Sequence, residues 1–152
     1  MDDYGRFWTD FVELQGDASA DREFVVRRIG RTRDMCEQLL ELIVTGEKTG
    51  TFSLPREFVE GRGIPREGDY LILTHFDGSP GCIVVVDAVE VLPFSDIRLV
   101  HVACEGPGAR DLEVWRTIHR RYWTELLESS GEEFRDDMPV VYQHFKLVHT
   151  RG

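Results

Sequence analysis

The sequence has no long hydrophobic run. No stretch approaches the roughly 20 consecutive apolar residues that a membrane-spanning helix requires, so we expect no membrane segment. The chain begins Met-Asp-Asp-Tyr and lacks the basic-then-apolar order of a secretory signal. Its 41% of hydrophobic and 11% of aromatic residues are typical of a globular domain that buries a core. We therefore predict one domain spanning residues 1–152, located in the cytoplasm.

Cysteine is scarce, and its spacing argues against two common scaffolds of small domains. Cys36, Cys82 and Cys104 are far apart and form no Cys-x-x-Cys pair, so neither a zinc ribbon nor a disulfide framework is predicted. We expect three buried, reduced thiols. The five histidines also lack the spacing of metal ligands, and we predict no metal and no cofactor.

An excess of basic residues is also missing. The 18 Lys and Arg residues stand against 28 Asp and Glu residues, which gives a formal net charge of −10 at pH 7. Proteins that grip long nucleic acids by their phosphates normally carry a positive excess. The charge balance therefore favours a small ligand in a pocket over long RNA. The sequence does not define an oligomeric state.

Apolar residues recur at helical spacing in three segments. The first segment is residues 4–15. The second begins after Thr32, a suitable N-cap, and ends at Gly46. The third follows a second N-cap residue, Asp111. We interpret the basic run of residues 27–33 as a connection.

The remaining apolar segments have the character of strands. Residues 70–75 and 82–92 are rich in β-branched residues, and the turn-rich segment 77–81 between them predicts an antiparallel hairpin. Residues 139–150 predict a closing strand, whereas residues 95–105 fit either a strand or a helical turn. The order of these elements predicts an α+β fold with a mainly antiparallel sheet.

Seven short motifs in residues 36–149 occur in the order and spacing of one protein family. They are Gly46–Leu54 (Gly-x-Lys-x-x-Thr-x-Ser), Arg66–Asp69, Pro80 with Cys82, Pro93–Ile97, Ala103–Gly106, Trp115–Arg116 with His119, and Phe145–Val148. This series resembles that of ASCH domains. The resemblance implies a PUA-like, mainly antiparallel β-barrel surrounded by about three helices, with residues 1–31 as an N-terminal helical extension packed on it. The chain departs from the family pattern at residues 107–110 and 142–144.

The resemblance also implies a function. PUA domains bind RNA, and some ASCH proteins are proposed to do so. A small bacterial branch resembles amidohydrolases that act on N4-acetylcytidine with a catalytic Lys, Thr and Glu, which fall here on Lys48, Thr51 and Glu105. Other members have been assigned ribonuclease activity. The first hypothesis is therefore binding of RNA or a modified nucleoside; the alternatives are an amidohydrolase and a ribonuclease.

Each of the three catalytic candidates also has an ordinary structural explanation. Lys48 follows a helix end, where its ammonium can act as a base or can pair with the last helical carbonyls. Thr51 can be a nucleophile or a common strand residue. Glu105 can be a general acid or base or a solvated loop carboxylate. In an ideal strand, positions 48 and 51 point to opposite faces, so their convergence requires a turn, which Gly50 permits.

Four further residues are candidates for contact with the ligand. Ser53 shares a strand face with Thr51. Arg116 and His119, on the third predicted helix, can hydrogen-bond a base or a phosphate. Tyr142 can stack on a base, as aromatic residues of RNA-binding modules do.

Overall fold

The computed structural model describes residues 2–16, 23–58 and 63–151. In these ranges the chain forms four α-helices and five β-strands. In chain order they are α1 (Asp3–Gln15), β1 (Phe24–Arg27), α2 (Arg33–Val44), β2 (Gly50–Ser53), β3 (Tyr70–Thr74), β4 (Pro80–Pro93), α3 (Leu99–Val102), α4 (Leu112–Glu128) and β5 (Pro139–Thr150). None of the helices in these ranges combines the length and the apolar character needed to cross a membrane.

Each of the three long helices begins after a capping side chain, and two of these caps, Thr32 and Asp111, are the ones that the sequence predicts. The side chain of Thr32 accepts a hydrogen bond from the backbone N–H of Met35 at 3.2 Å, and that of Asp111 accepts one from Val114 at 3.0 Å. Asp2 caps α1 in the same way. Each cap satisfies a backbone donor that the first helical turn leaves without a partner. The three predicted helices are confirmed, and residues 95–105 contain the short helix α3 instead of a strand.

The five strands form one sheet in the order β1-β3-β4-β5-β2. The predicted hairpin is confirmed: β3 and β4 are antiparallel, with Ile72 opposite Ile83. β5 pairs with both β4 and β2 in antiparallel fashion, whereas β1 lies parallel to β3. The α+β class and the mainly antiparallel sheet are therefore confirmed.

The sheet is open, which corrects the expectation of a closed barrel. The short strands β1 and β2 form its two edges, and no backbone pairing joins them within the described ranges. A side-chain contact joins these edges instead: the Nη2 atom of Arg27 donates a hydrogen bond to the hydroxyl of Ser53 at 3.2 Å. The sheet thus curls until its edges are within reach of one long side chain, although their main chains stay apart.

Helices cover both faces of the sheet. On one face, which we call the α2 face, Leu40 and Ile43 pack against Leu71, Val84 and Phe145. On the other, the α4 face, two aromatic groups cover the sheet. Phe52 and Tyr142 cluster with Trp115 and Trp123 of α4, and Phe7, Trp8 and Phe11 of α1 pack on Ile72 and Ile83.

The N-terminal segment contains more than the predicted helix. α1 lies where the sequence predicts it, but Phe24–Arg27 forms the edge strand β1, so Arg27 belongs to the sheet and not to a connection. Residues 17–22 of this segment lie outside the described residues. The end of the predicted extension is therefore part of the sheet itself.

Candidate functional site

Two oppositely charged residues meet inside the protein next to the first turn of α4. The Nζ atom of Lys48 lies 2.5 Å from the Oε1 atom of Glu105, and only 2% and 7% of the two side chains are exposed. An ion pair at this depth loses most of its hydration, so both groups need well-placed partners. The pair brings together two of the three catalytic candidates.

The backbone holds the segments of Lys48 and Glu105 side by side. Gly46, with φ +83°, ends the turn that follows α2, and the N–H of Lys48 then donates to the carbonyl of Leu42 at 3.0 Å. One residue later, the N–H of Thr49 donates to the carbonyl of Cys104 at 2.8 Å. The residue before Glu105 is therefore tied directly to the residue after Lys48.

Arg110 makes a second link between these segments. Its Nε atom donates to the carbonyl of Glu105 and its Nη2 atom donates to the carbonyl of Glu47, both at 2.7 Å. The guanidinium of Arg110 thus bridges two backbone carbonyls, that of Glu47, which precedes Lys48, and that of Glu105. In the sequence, Arg110 belongs only to a stretch that departs from the family pattern, because a contact across 63 residues leaves no local signal.

Two aromatic side chains of α4 complete the surroundings of Glu105. The indole Nε1 of Trp115 donates to the Oε2 atom of Glu105 at 3.2 Å, and the ring of His119 stacks on Trp115 with 4.2 Å between centroids. The carboxylate therefore has a cation on one oxygen and an indole N–H on the other. The spacing of Trp115 predicts a core residue, and in the structure its indole also contacts Glu105 of the candidate site.

The imidazole of His119 is neutral and faces the carboxylate of Glu105. Its Nδ1 atom lies 2.9 Å from the carbonyl of Trp115, which can only accept, so Nδ1 carries the proton. The Nε2 atom lies 3.7 Å from the Oε2 atom of Glu105, beyond a normal hydrogen bond. Burial lowers the pKa of His119 below its ordinary value, and the charge of Glu105 opposes that shift only in part.

Tyr142 lies on the same face of the sheet. Its ring contacts Phe52 and His101, with centroids 5.3 and 5.2 Å apart. Burial is the main cause that raises the pKa of Tyr142 to about 12, so its hydroxyl stays protonated at neutral pH. The ring of Phe52 thus lies beside both Tyr142 and His119, and His119 in turn faces Glu105.

The other candidates lie elsewhere. Thr51 and Ser53 alternate with Phe52 along β2, so their side chains project to the α2 face, where Ser53 accepts the hydrogen bond from Arg27. Arg116 is on α4 but forms an ion pair with Glu113 at 2.6 Å, near the surface. Alternation thus directs Thr51 and Ser53 away from the face of β2 on which Phe52 meets Trp115 and His119.

The arrangement has a definite chemical character. A buried ammonium and a buried carboxylate in contact present strong donors beside a strong acceptor. Such a pair complements a ligand edge that carries a carbonyl next to an N–H, and it can also pass a proton between its two members.

Comparison with known proteins gives the family. No curated protein matches the sequence. An ASCH domain from Lactobacillus crispatus JV V101 has a similar structure, with a TM-score of 0.85 and 26% identity over 95% of this chain and 93% of that one. The protein EF3133 from Enterococcus faecalis V583 is also similar, with a TM-score of 0.84 and 27% identity over 96% of this chain and 88% of that one. Residues 25–149 match the ASCH domain family, which is PUA-like. The chain belongs to the ASCH domain family.

Proposed function

We propose that this ASCH domain binds RNA or a modified nucleoside, with Lys48 and Glu105 at the binding site. The observation that carries the proposal is the buried contact between Lys48 and Glu105. Apolar residues of similar volume often stabilise a fold as well as a buried ion pair does, so stability alone gives little reason for the pair. A buried pair of charges is therefore a candidate functional site.

The chemistry of the pair suits a nucleobase edge. A base carbonyl can accept from the ammonium of Lys48 while a neighbouring N–H donates to Glu105. The face of the base then has Phe52 and Tyr142 nearby for stacking. His119 and Arg116 are the donors on α4 that we assign to the sugar or phosphate.

The charge of the protein limits the kind of RNA that it accepts. With a net charge of −10, the surface as a whole repels a phosphate backbone. A short single-stranded segment or one nucleoside therefore suits the site better than a long duplex. We place this activity in the cytoplasm, where the three buried free thiols remain reduced.

Binding is tested with a short single-stranded RNA. We expect saturable binding to the wild-type protein and at least about tenfold weaker binding by Lys48→Met and by Glu105→Gln, since each change removes a charged hydrogen-bond partner. Lys146→Met, at the exposed second lysine of the chain, is the matched control. Affinity should change little with salt if few phosphates are contacted. Equal binding by all four proteins would disprove the proposal.

Hydrolysis of an N4-acetylcytidine-like amide is the second candidate. It is favoured by the direct Lys48–Glu105 contact, which can pass a proton, and it ranks second because Thr51 projects to the other face of β2. The test is acetate release from N4-acetylcytidine by the same four proteins. Release by the wild type and Lys146→Met, but by neither site variant, would make the protein a hydrolase. Release by none would leave binding as the function.

A further inference from the structure

A cavity of about 310 Å³ lies between β1, the turn that follows β2 and the segment that leads into β3. Arg27 lines it from β1, Glu57 from the turn and Asp69 from the segment before β3. Neither Lys48 nor Glu105 lines this cavity, so the proposed function gives it no role.

Arg27 has hydrogen-bond donors to spare at this cavity. Its Nη2 atom donates to the hydroxyl of Ser53 at 3.2 Å, and its guanidinium carbon lies 4.1 Å from the centroid of the Phe58 ring. Its buried Nε atom has no partner among the described residues. A guanidinium carries five N–H donors, so this one is held in place while donors remain for an acceptor in the cavity.

Glu57 brings the opposite charge to the same cavity. Its Oε2 atom accepts the backbone N–H of Leu54 at 2.6 Å, which anchors the carboxylate to the turn. No ion pair joins Glu57 to Arg27 in the part of the chain that the structure describes. The two charges therefore share a cavity without being in contact.

Both charges have lost hydration. Burial lowers the pKa of the Arg27 guanidinium and raises the pKa of the Glu57 carboxyl, and the charge of the other residue opposes each shift only in part. Partly buried charges are costly unless each has a well-placed partner. A ligand that supplies both missing partners would therefore stabilise the two side chains together.

The balance of charges indicates what kind of ligand this is. Arg27 and Arg28 line the cavity together with Glu57 and Asp69. A phosphate or a metal cation would be attracted by one sign and repelled by the other. A neutral molecule would leave both charges without a counter-charge. A zwitterion, which carries one charge of each sign, complements the lining.

The size and the remaining lining limit the ligand further. Ligand pockets in proteins have volumes of about 300–1,000 Å³, so this cavity is at the small end of the range. Its apolar wall includes the aliphatic side chains of Val25, Pro65 and Leu71. The cavity thus suits a small zwitterion that also has an aliphatic part.

We propose that this cavity binds a free α-amino acid with an aliphatic side chain. The carboxylate of the amino acid accepts from the guanidinium of Arg27, its ammonium donates to the carboxylate of Glu57, and its side chain packs against Leu71. The bound amino acid connects β1 with the turn after β2, at the place where the two edges of the open sheet approach each other. The inference goes beyond the proposed function and does not depend on it.

The first test needs only the wild-type protein. Calorimetric titration with L-valine, L-leucine, L-isoleucine and L-methionine, each added separately, should find at least one that binds with a stoichiometry of one and raises the melting temperature. The amide and the N-acetyl derivative of that amino acid each lack one of its two charges. Both should bind at least about tenfold more weakly than the amino acid itself. Equal binding by either derivative would contradict the pairing of both charges.

Glu57→Gln locates the site. It removes the charge but keeps an oxygen that can accept from Leu54, so we expect a folded protein whose affinity for the amino acid is at least about tenfold weaker. Arg27→Gln should weaken binding as much and should also lower the melting temperature, because its bond to Ser53 is lost. Glu128→Gln, at an exposed residue at the end of α4, is the matched control and should bind as the wild type does.

Lys48→Met separates this inference from the proposed function. It should bind the amino acid as tightly as the wild type, within a factor of about two, and Glu57→Gln should likewise keep its affinity for the short RNA. RNA binding without amino-acid binding would overturn this inference and leave the proposed function standing. Amino-acid binding without RNA binding would do the reverse. Unchanged amino-acid affinity in both Glu57→Gln and Arg27→Gln would also overturn the inference.

Discussion

Lys48 and Glu105 are separated by 57 positions in the chain, yet their charged atoms lie 2.5 Å apart in a place that water barely reaches. Three connections create this contact: the turn after α2, the backbone bond from Thr49 to Cys104, and the bridge made by Arg110. The contact is therefore built by the surrounding main chain and is not an accidental meeting of two flexible side chains.

The pair should show strong energetic coupling. Lys48→Met leaves an unpaired carboxylate and Glu105→Gln leaves an unpaired ammonium, so each should lower the free energy of unfolding by about 3–5 kcal/mol. The double variant contains no unpaired charge and should lose much less than the sum of the two. Urea unfolding of all four proteins measures the coupling. Lys146→Met should stay within about 0.5 kcal/mol of the wild type, and additive losses would contradict the argument.

Arg110 should affect RNA binding only by holding the segments of Lys48 and Glu105 in position. Arg110→Ala removes two charged hydrogen bonds to backbone carbonyls; since the residue is exposed, we expect a loss of only about 1 kcal/mol in unfolding free energy. RNA affinity should fall at the same time, because the segments of Lys48 and Glu105 are no longer bridged. Arg110→Lys should not restore the affinity, since one ammonium cannot replace the forked guanidinium. The control is Arg121→Ala, whose side chain is 84% exposed.

The neutral state of His119 predicts a pH dependence of stability. Burial lowers its pKa below the ordinary value of 6.5, so the unfolded chain binds the proton first as the pH falls. The free energy of unfolding should therefore decrease as the pH drops below about 6.5, and the loss should end below the lowered pKa.

Urea unfolding at several pH values between about 7.5 and 5 tests this prediction. His119→Gln should flatten the decrease. His149, whose pKa burial also lowers, adds a separate contribution, so His149→Gln is a necessary companion variant. An unchanged slope in His119→Gln would show that His119 does not resist protonation.

Local patterns in the sequence predicted most of the secondary structure. The spacing of apolar residues and the caps Thr32 and Asp111 located two helices, and turn residues located the hairpin of β3 and β4. β1 was not predicted because its three apolar residues run directly into a series of arginines, a pattern too short to mark a strand. Its pairing is parallel, so no turn signal connects it with β3.

The candidate site was predictable only in part, for a physical reason. The motif around Lys48 and the segment of Glu105 are recognisable as short sequences, but their contact depends on how the whole chain folds. Arg110 and Arg27 act through partners far away in sequence, and the residues next to them in the chain give no sign of those partners. In an ideal strand, positions 48 and 51 point to opposite faces, but Lys48 precedes β2, which begins at Gly50.

Gly50 has a role that its conformational freedom does not explain. The sequence suggests a residue that permits a turn, but the structure places Gly50 in β2 at a close approach of two other segments. A Cβ atom there would lie 2.4 Å from the carbonyl oxygen of Gln143 and 2.8 Å from the Sγ atom of Cys104. The carbonyl belongs to the main chain of β5, so it cannot move without disturbing the pairing of β2 and β5.

Gly50→Ala should therefore destabilise the protein by about 1–3 kcal/mol, the usual cost of forcing extra volume into a packed site. It should also weaken RNA binding, because a displaced β2 carries Lys48 away from Glu105. Gly108→Ala is the matched control, since a Cβ atom there meets nothing within 4 Å. Urea unfolding and the RNA titration, applied to both variants, measure the two effects. If Gly50→Ala is as stable and as active as Gly108→Ala, the contact of β2 with β5 and Cys104 is looser than its geometry requires, and Lys48 does not depend on it for its position.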